Sequence, residues 1–413
     1  MTLLPRHIIL LLLLLALPMP LLRAQDPAQQ PNFIDRSINY LTQVVQDGAI
    51  PLGPVNIDPF KTVSYSLSRG VYLGLGIETN ERFSKRFKLD GFAGYWFHLR
   101  DIDYGAGASW FLAPEHDMSL RLDYRYVSEP LGEFGGMMEE SMGMLDEDNF
   151  KFTFFENVYV RQHGLRLTYA TRFAQHFKAF VTVGNYRRRY LEQFCLDTLA
   201  PALPEDRFTV AELKLHFAYS TYPNVWLVYQ HGFPGIMQSV TEFDRVKLQI
   251  GQNFYTRSLG VSKVLFQAGY ASAGCPVMET FNILSAYMPV GLYSPGCFNT
   301  MRFDEFFSDR FVALYLSHNF SGMLWQPDLS WCKPQLVLVT NMAWGDMRRA
   351  AGSAICNFKT MEKGYYESGV VIEGLLDVSL MQLGAGFFYR YGPYSLPTFK
   401  ENMALKWSVI FNL

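Results

Sequence analysis

Residues 118–126 read Met-Ser-Leu-Arg-Leu-Asp-Tyr-Arg-Tyr, an alternation of apolar and polar side chains with a period of two. A β-strand has this period, because its successive side chains point to opposite faces of a sheet. One face of this strand carries Arg121, Asp123 and Arg125, and such a group of charges needs water rather than an apolar sandwich core. The other face is apolar or aromatic. The stretch therefore predicts a strand with one wet side and one apolar side.

The same alternation recurs along the chain and ends it, where Leu405 and Trp407 alternate with Lys406 and Ser408. An even number of strands closes an antiparallel barrel with both ends on one side of the membrane. Charges in phase with the polar face are predicted to line the lumen: Arg121, Asp123, Arg125, Arg166, Lys214, Arg245, Lys247 and Arg390. We expect about sixteen strands, at roughly residues 60–67, 70–79, 85–98, 102–112, 117–127, 164–173, 177–189, 206–219, 223–232, 243–256, 260–272, 310–321, 334–345, 365–377, 380–391 and 401–413.

Composition excludes several classes of protein. The 413 residues are 49% hydrophobic and 18% charged, with a net charge of −2. Beyond the first residues no apolar run approaches the roughly 18 residues of a membrane helix, and the balanced charge does not favour nucleic acid as a partner. A large secreted globular protein and a transmembrane barrel remain. The alternation favours an all-β, closed antiparallel transmembrane β-barrel.

The first residues indicate export. Residues 1–24 carry an early Arg, a short apolar run and a small residue at the end, and they are predicted to be a signal peptide. Residues 25–56 are predicted to be a periplasmic leader with a short helix, because Ile34, Ile38, Leu41 and Val45 recur at helical spacing. Residues 57–413 are then the barrel, and the cell outer membrane is its expected location.

Several blocks resemble the barrel domain of a Bacteroidota outer-membrane family of unknown function. They are Gly-Ala-Ile-Pro-Leu-Gly at 48–53, Arg-Gly-Val at 69–71 and Phe-Asp-Glu-Phe-Phe-Ser-Asp-Arg at 303–310. Members of this family usually carry an N-terminal carboxypeptidase-regulatory-like domain, which we expect to be absent here. More distantly, the layout is similar to the BamA/TamA assembly barrels, whose sixth surface loop folds into the lumen. That resemblance implies Arg302 as the inward loop tip.

The cysteines permit disulfides, since an exported protein reaches an oxidising compartment. Cys195, Cys275, Cys297 and Cys356 fall in predicted surface loops. We favour a Cys275–Cys297 pairing because both residues lie in one loop. Four free thiols are the alternative.

The function expected is envelope transport or biogenesis, either as a pore or as a barrel that depends on a partner protein. The alternative is an outer-membrane enzyme acting on lipid A or another outer-leaflet lipid. The sequence contains neither a His-Glu-x-x-His nor a Gly-x-Ser-x-Gly motif. We therefore expect no enzyme, cofactor or metal site. The partners expected are outer-membrane lipid and a periplasmic or outer-membrane protein, with no nucleic acid.

Overall fold

The computed structural model describes most of the chain between residues 50 and 412. The described residues are 50–58, 61–66, 69–130, 149–151, 159–190, 205–219, 223–256, 259–276, 279–303, 305–321, 327, 329, 331–348, 359–378 and 381–412. The predicted signal peptide and the predicted helix of the leader lie outside them.

Most of the described residues lie in β-strands and very few in helices, which confirms the predicted all-β class. Every predicted strand range overlaps an observed strand, and short strands occur in addition. The strands are β1 Ile50–Leu52, β2 Val55–Asp58, β3 Val63–Ser66, β4 Gly70–Thr79, β5 Phe87–Trp96, β6 Asp101–Ala113, β7 Met118–Pro130, β8 Asn149–Lys151, β9 Tyr159–Ala174, β10 Phe177–Tyr190, β11 Asp206–Phe217, β12 Asn224–Phe233, β13 Phe243–Thr256, β14 Gly260–Ala271, β15 Phe281–Asn282, β16 Val290–Leu292, β17 Phe307–Ser308, β18 Arg310–Asn319, β19 Gln335–Asp346, β20 Met361–Val378, β21 Met381–Tyr391 and β22 Met403–Asn412.

The leader contains a β-hairpin that the sequence did not predict. In the hairpin Leu52 of β1 is the partner of Val55 of β2, so the turn has only two residues. Gly53 opens this turn with φ +66°, a conformation that glycine adopts without the steric cost of a side chain. Part of the predicted leader therefore belongs to the sheet.

The predicted first strand, 60–67, differs from the observed arrangement. Two short strands share one edge of β4: β2 pairs with Gly76–Thr79, and β3 pairs with Gly70–Leu73. Between them Asp58 receives hydrogen bonds from the Lys61 amide at 3.3 Å and from the Thr62 hydroxyl at 3.0 Å. Such local bonds favour a turn over a continuous strand.

The chain divides into two compact units. Among the described residues, those up to Phe111 form the first unit together with Arg121–Val127. The second unit comprises Leu112–Leu120 and the described residues from Ser128 to Asn412. In the first unit β4, β5 and β6 pair antiparallel in chain order. Leu73, Leu75 and Ile77 of β4 are exposed, whereas Tyr72 is buried. The apolar positions of this strand therefore face outward.

The second unit is a long antiparallel sheet in chain order, β9–β10–β11–β12–β13–β14–β18–β19–β20–β21–β22. Its two faces differ in polarity. On what we call the inner face, Arg245, Arg390 and Lys406 are buried, while Leu405 and Trp407 on the outer face are exposed. Within the described residues, no helix has both the length and the apolar character to cross a membrane.

The predicted last strand, 401–413, begins two residues later than expected. A one-turn helix, α1 (Phe399–Asn402), precedes it. The Thr398 side chain accepts a hydrogen bond from the Glu401 amide at 3.3 Å, and the Glu401 carboxylate accepts one from the Thr398 amide at 3.0 Å. This capping box stabilises a helical turn where alternation alone predicts strand.

Candidate functional site

A connecting segment of the second unit lies against the inner face rather than in solvent. It comprises residues 279–303 and 305–309 and is here called the inward segment. Phe281, Phe298 and Phe306 of this segment are fully buried. Phe298 contacts Tyr315 of β18 and Tyr365 of β20, with ring centroids 5.2 and 5.1 Å apart. The segment is thus anchored by its own apolar core.

The start of the inward segment is held by a buried carboxylate. The Arg245 guanidinium of β13 donates to Glu279 Oε2 at 2.8 Å and to the Glu279 carbonyl at 2.6 Å. Arg188 of β10 donates to the other carboxylate oxygen of Glu279. All three side chains are buried. A buried charge is costly unless it is paired in this way.

The end of the segment is held by a second carboxylate. Both carboxylate oxygens of Glu305 accept hydrogen bonds from Arg390 of β21, each at 3.0 Å. Such a two-pronged pair fixes geometry as well as charge. Burial would raise the pKa of Glu305, but the Arg390 hydrogen bonds and charge outweigh it and hold that pKa below the ordinary value of 4.5. Lys359 adds an exposed contact at 3.3 Å.

The middle of the segment is bound through its backbone. Glu367 of β20, fully buried, accepts hydrogen bonds from the amides of Asn299 and Thr300, both at 2.8 Å. It also accepts one from Asn341 of β19 at 2.8 Å. On β22, the Lys406 ammonium donates to the Ala286 carbonyl at 2.5 Å. The inward segment therefore contacts strands β10, β13, β18, β19, β20, β21 and β22.

The inward segment also pairs with the edge of the last strand. Strand β16 runs parallel to β22, with Val290, Gly291 and Leu292 opposite Leu405, Lys406 and Trp407. Backbone bonds join the Leu405 amide to the Pro289 carbonyl at 2.9 Å and the Tyr293 amide to the Trp407 carbonyl at 2.8 Å. Strand β21 pairs with the opposite edge of β22. On the same edge as β16, strand β8 pairs with residues 410–412 of β22. The edge of β22 is therefore covered by short segments.

Three predicted lumen charges meet in the first unit. Arg121 binds Asp90 of β5 through two hydrogen bonds, of 2.7 and 2.9 Å. Asp123, which is buried, lies 3.4 Å from both Arg121 and Arg125. A 330 Å³ cavity adjoins this group. The cluster is charged but balanced in sign.

The other predicted lumen charges lie on the inner face of the second unit and form no single group. Arg245 and Arg390 hold opposite ends of the inward segment. The Lys214 ammonium lies 4.4 Å from the ring centroid of Trp226. Lys247 is buried and Arg166 half-buried.

Arg302 and the cysteine pair differ from the sequence expectation. The Arg302 side chain is exposed, and its guanidinium lies 5.7 Å from the ring centroid of Tyr287. Arg302 is therefore not the inward tip of the loop, and the buried charge near this position is the Glu305 carboxylate, which Arg390 of the sheet binds. Cys297 is a buried free thiol, so the structure does not contain the Cys275–Cys297 disulfide. Burial raises the pKa of Cys297 to about 12, which disfavours the reactive thiolate.

Sequence reasoning missed Glu279, Glu305 and Glu367. The two loop glutamates lie where no periodicity indicates direction. One signal points to them: a sheet face rich in arginine and lysine requires carboxylates from elsewhere. Among the described residues, no three His, Cys, Asp or Glu side chains form a candidate metal cluster.

Two solved structures share this fold. BamA from Haemophilus ducreyi lacking POTRA domains 1-3 aligns with a TM-score of 0.52 at 10% identity, over 94% of this chain and 80% of that one. CdiB from Escherichia coli aligns with a TM-score of 0.50 at 10% identity, over 88% of this chain. This chain spans 63% of the CdiB chain. No family model and no curated protein matches the sequence.

Proposed function

We propose that the chain is an outer-membrane β-barrel of about sixteen strands that acts in envelope transport or biogenesis together with a partner protein. In this proposal the inward segment is a plug, and the resting barrel is closed. The chain is not an enzyme, and its partners are outer-membrane lipid and another envelope protein rather than nucleic acid.

One observation carries the proposal: in the second unit charged side chains are buried and large apolar side chains are exposed. Lys406 is 2% exposed while its neighbour Trp407 is 56% exposed. A water-soluble sheet buries tryptophan and exposes lysine. The reverse arrangement suits a sheet with lipid outside and a polar interior. The shared fold with BamA supports the same interpretation.

The inward segment favours the partner-dependent form over an open pore. It fills the inner face with buried phenylalanines and is tied at both ends by buried carboxylates. Breaking a buried ion pair is costly, so spontaneous opening is expected to be rare. A partner that binds the released form would shift this equilibrium by its difference in affinity for the two forms.

Reconstitution in planar bilayers tests this function. The wild-type protein should insert and remain silent or open rarely. A double variant, Glu279→Gln with Glu305→Gln, should open more often, because both attachments lose their charge. Glu115→Gln changes an exposed turn residue and is the matched control. Steady conductance of the wild type would contradict the plug, and failure to insert would contradict the barrel.

The partner and the absence of enzymatic activity need separate measurements. Affinity purification from native membranes should recover one envelope protein in constant ratio with the chain. Mass spectrometry of lipid A should show the same species with and without the gene. A new lipid A species on deletion would support the competing enzyme.

A further inference from the structure

The outer face of strands β9, β10 and β11 changes from apolar to cationic toward one end of the sheet. Leu167 of β9 lies opposite Val183 of β10, and both side chains are exposed. Every second residue of a strand faces the same side, so Arg187 and Arg189 share the outer face of β10 with Val183. Arg207 of β11 is the register partner of Arg187. We call these three arginines the cationic patch.

The arginines of the cationic patch lie close together in spite of their charge. Arg187 is directly opposite Arg207, and Arg189 is directly opposite Arg161 of β9. Like charges at opposed positions destabilise a sheet. Glu205 pairs with Arg187 and, at 2.8 Å, with Arg207. Within the described part of the chain no carboxylate pairs with Arg189, so the three arginines of the patch meet one carboxylate and keep an excess of two positive charges.

Two other arginines at the same end of the sheet are balanced. Arg310 of β18, also on the outer face, pairs with Asp346 of β19. Arg348 pairs with Asp309 at 3.3 Å. Each of these arginines has a carboxylate of its own. The excess of positive charge therefore distinguishes the cationic patch from ordinary contact between the outer face and lipid.

The connection between β12 and β13 places apolar side chains beside the patch. The Arg207 guanidinium donates to the Gln238 side chain, and the Val240 amide donates to the Arg207 carbonyl at 3.3 Å. Ile236, Met237 and Val240 are exposed. Met237 and Gln238 have φ of +47° and +66°, a conformation that costs free energy in residues with a side chain. The fold thus holds an apolar tip next to the arginines at some cost.

We infer that the cationic patch binds a phosphate monoester of an outer-leaflet glycolipid of the lipid A class. Guanidinium groups bind phosphate through paired hydrogen bonds, and a monoester carries up to about two negative charges, which matches the excess on the patch. Strand β10 leads into the predicted surface loop that contains Cys195, so the patch faces the outer leaflet. The inference rests on the proposed outer-membrane function and names a lipid for it.

The apolar surroundings favour a lipid over an acidic protein. Val183 lies four positions from Arg187 on the same face of β10, which is about 13 Å. A lipid whose phosphate lies on the arginines therefore has its acyl chains against Val183 and Leu167, both exposed. An acidic protein would use the charges and leave this apolar surface unused.

Native mass spectrometry of the full chain tests the site. The protein is reconstituted in phosphatidylethanolamine vesicles, extracted in mild detergent and titrated with diphosphoryl lipid A. Arg187→Gln with Arg189→Gln should weaken the apparent affinity about twenty-five-fold, since each cation near an anionic lipid surface contributes about fivefold. Arg310→Gln with Arg348→Gln removes two arginines that have carboxylate partners and should bind as the wild type does. Equal losses in the two double variants, or no loss in either, would overturn the site.

The phosphate is tested with lipid A that has been dephosphorylated by alkaline phosphatase, and with phosphatidylglycerol, a diester with one charge. The wild type should bind both more weakly than diphosphoryl lipid A. Equal affinity for the dephosphorylated lipid would overturn the phosphate contact. Equal or tighter binding of phosphatidylglycerol would overturn the monoester assignment.

The same variants separate the remaining kinds of failure. A protein that is washed off vesicles by alkaline carbonate contradicts the proposed membrane function. An inserted protein that does not bind lipid A contradicts the cationic patch alone. If Arg187→Gln with Arg189→Gln keeps its affinity for lipid A but loses an envelope protein in affinity purification, the patch binds a protein and the lipid assignment is wrong.

Discussion

Arg390 and Lys359 both contact Glu305, but their burial differs. The Arg390 side chain is 1% exposed, and the Lys359 side chain is 58% exposed. We predict that Arg390→Met destabilises the inward segment by about 3–5 kcal/mol, because a buried carboxylate loses its main partner. Lys359→Met should cost less than about 1 kcal/mol, as exposed pairs do. Urea unfolding in detergent micelles, followed by tryptophan fluorescence, measures both.

The comparison of the two variants is its own control, since each removes one cation from the same carboxylate. Equal losses of stability would show that burial does not set the strength of the Glu305 attachment.

Glu305 also predicts a dependence on pH. Its pKa in the folded chain lies below the ordinary value of 4.5 because of Arg390. A lowered pKa stabilises the fold fully above the unfolded value, and this contribution is lost as pH falls through the folded value. Protease cleavage of the inward segment should therefore rise as pH falls below about 4.5. Pepsin is active in this range and provides the assay.

Glu305→Gln removes the titrating group. Its cleavage, measured relative to an unfolded substrate that reports pepsin's own pH dependence, should rise less than that of the wild type over the same interval. Equal rises in the wild type and in Glu305→Gln would contradict the role of Glu305.

Single residues on strands were easier to predict than single residues on connections. The inner positions of Arg245 and Arg390 follow from a period of two, which is a local property of any strand. Glu279 and Glu305 lie in a connection, where no period fixes direction. Their position results from the charge of distant strands. Arg302, expected from resemblance alone, is exposed.

Strand β16 and strand β22 are 115 residues apart at their first paired positions, Val290 and Leu405, but lie side by side. We predict that Val290→Cys with Leu405→Cys forms a disulfide under mild oxidation in native membranes, because paired strands bring Cα atoms within the distance that a disulfide requires. Altered mobility on a non-reducing gel detects it.

Val290→Cys with Val409→Cys is the control for that pair. Val409 lies on the same face of β22 but four positions further along, which is about 13 Å. Cross-linking of the control pair, or of neither pair, would contradict the register of β16 on β22.

The sequence predicted correctly those strands that pair with their neighbours in the chain. Strands from β9 to β14 pair in order, and each was expected from alternation. The short strand β16 was not expected, because a parallel pairing over three residues has no pattern of its own. The hairpin of β1 and β2 was missed for a related reason, since three or four residues are too few for a period to appear.

At the scale of the whole chain, charged residues are few and many of them are buried, because the charged side chains lie on the inner face and the outer face is apolar. Only 18% of residues are charged, and on the inner face of the second unit arginine and lysine predominate. The inward segment brings carboxylates to that face. The charges inside then balance while the surface outside stays apolar, which suits the proposed outer-membrane location.

Removing the carboxylates of the inward segment should expose that positive wall. We predict that replacing residues 279–305 with a short Gly-Ser linker makes the protein, which we propose is closed by this segment, conduct ions. Its current should be anion-selective, because Arg188, Arg245 and Arg390 then face the lumen without Glu279 and Glu305. The reversal potential in a potassium chloride gradient measures this selectivity. Adding Arg245→Gln should weaken the preference for chloride, whereas a cation-selective or silent variant would contradict the arrangement of charge proposed for the barrel interior.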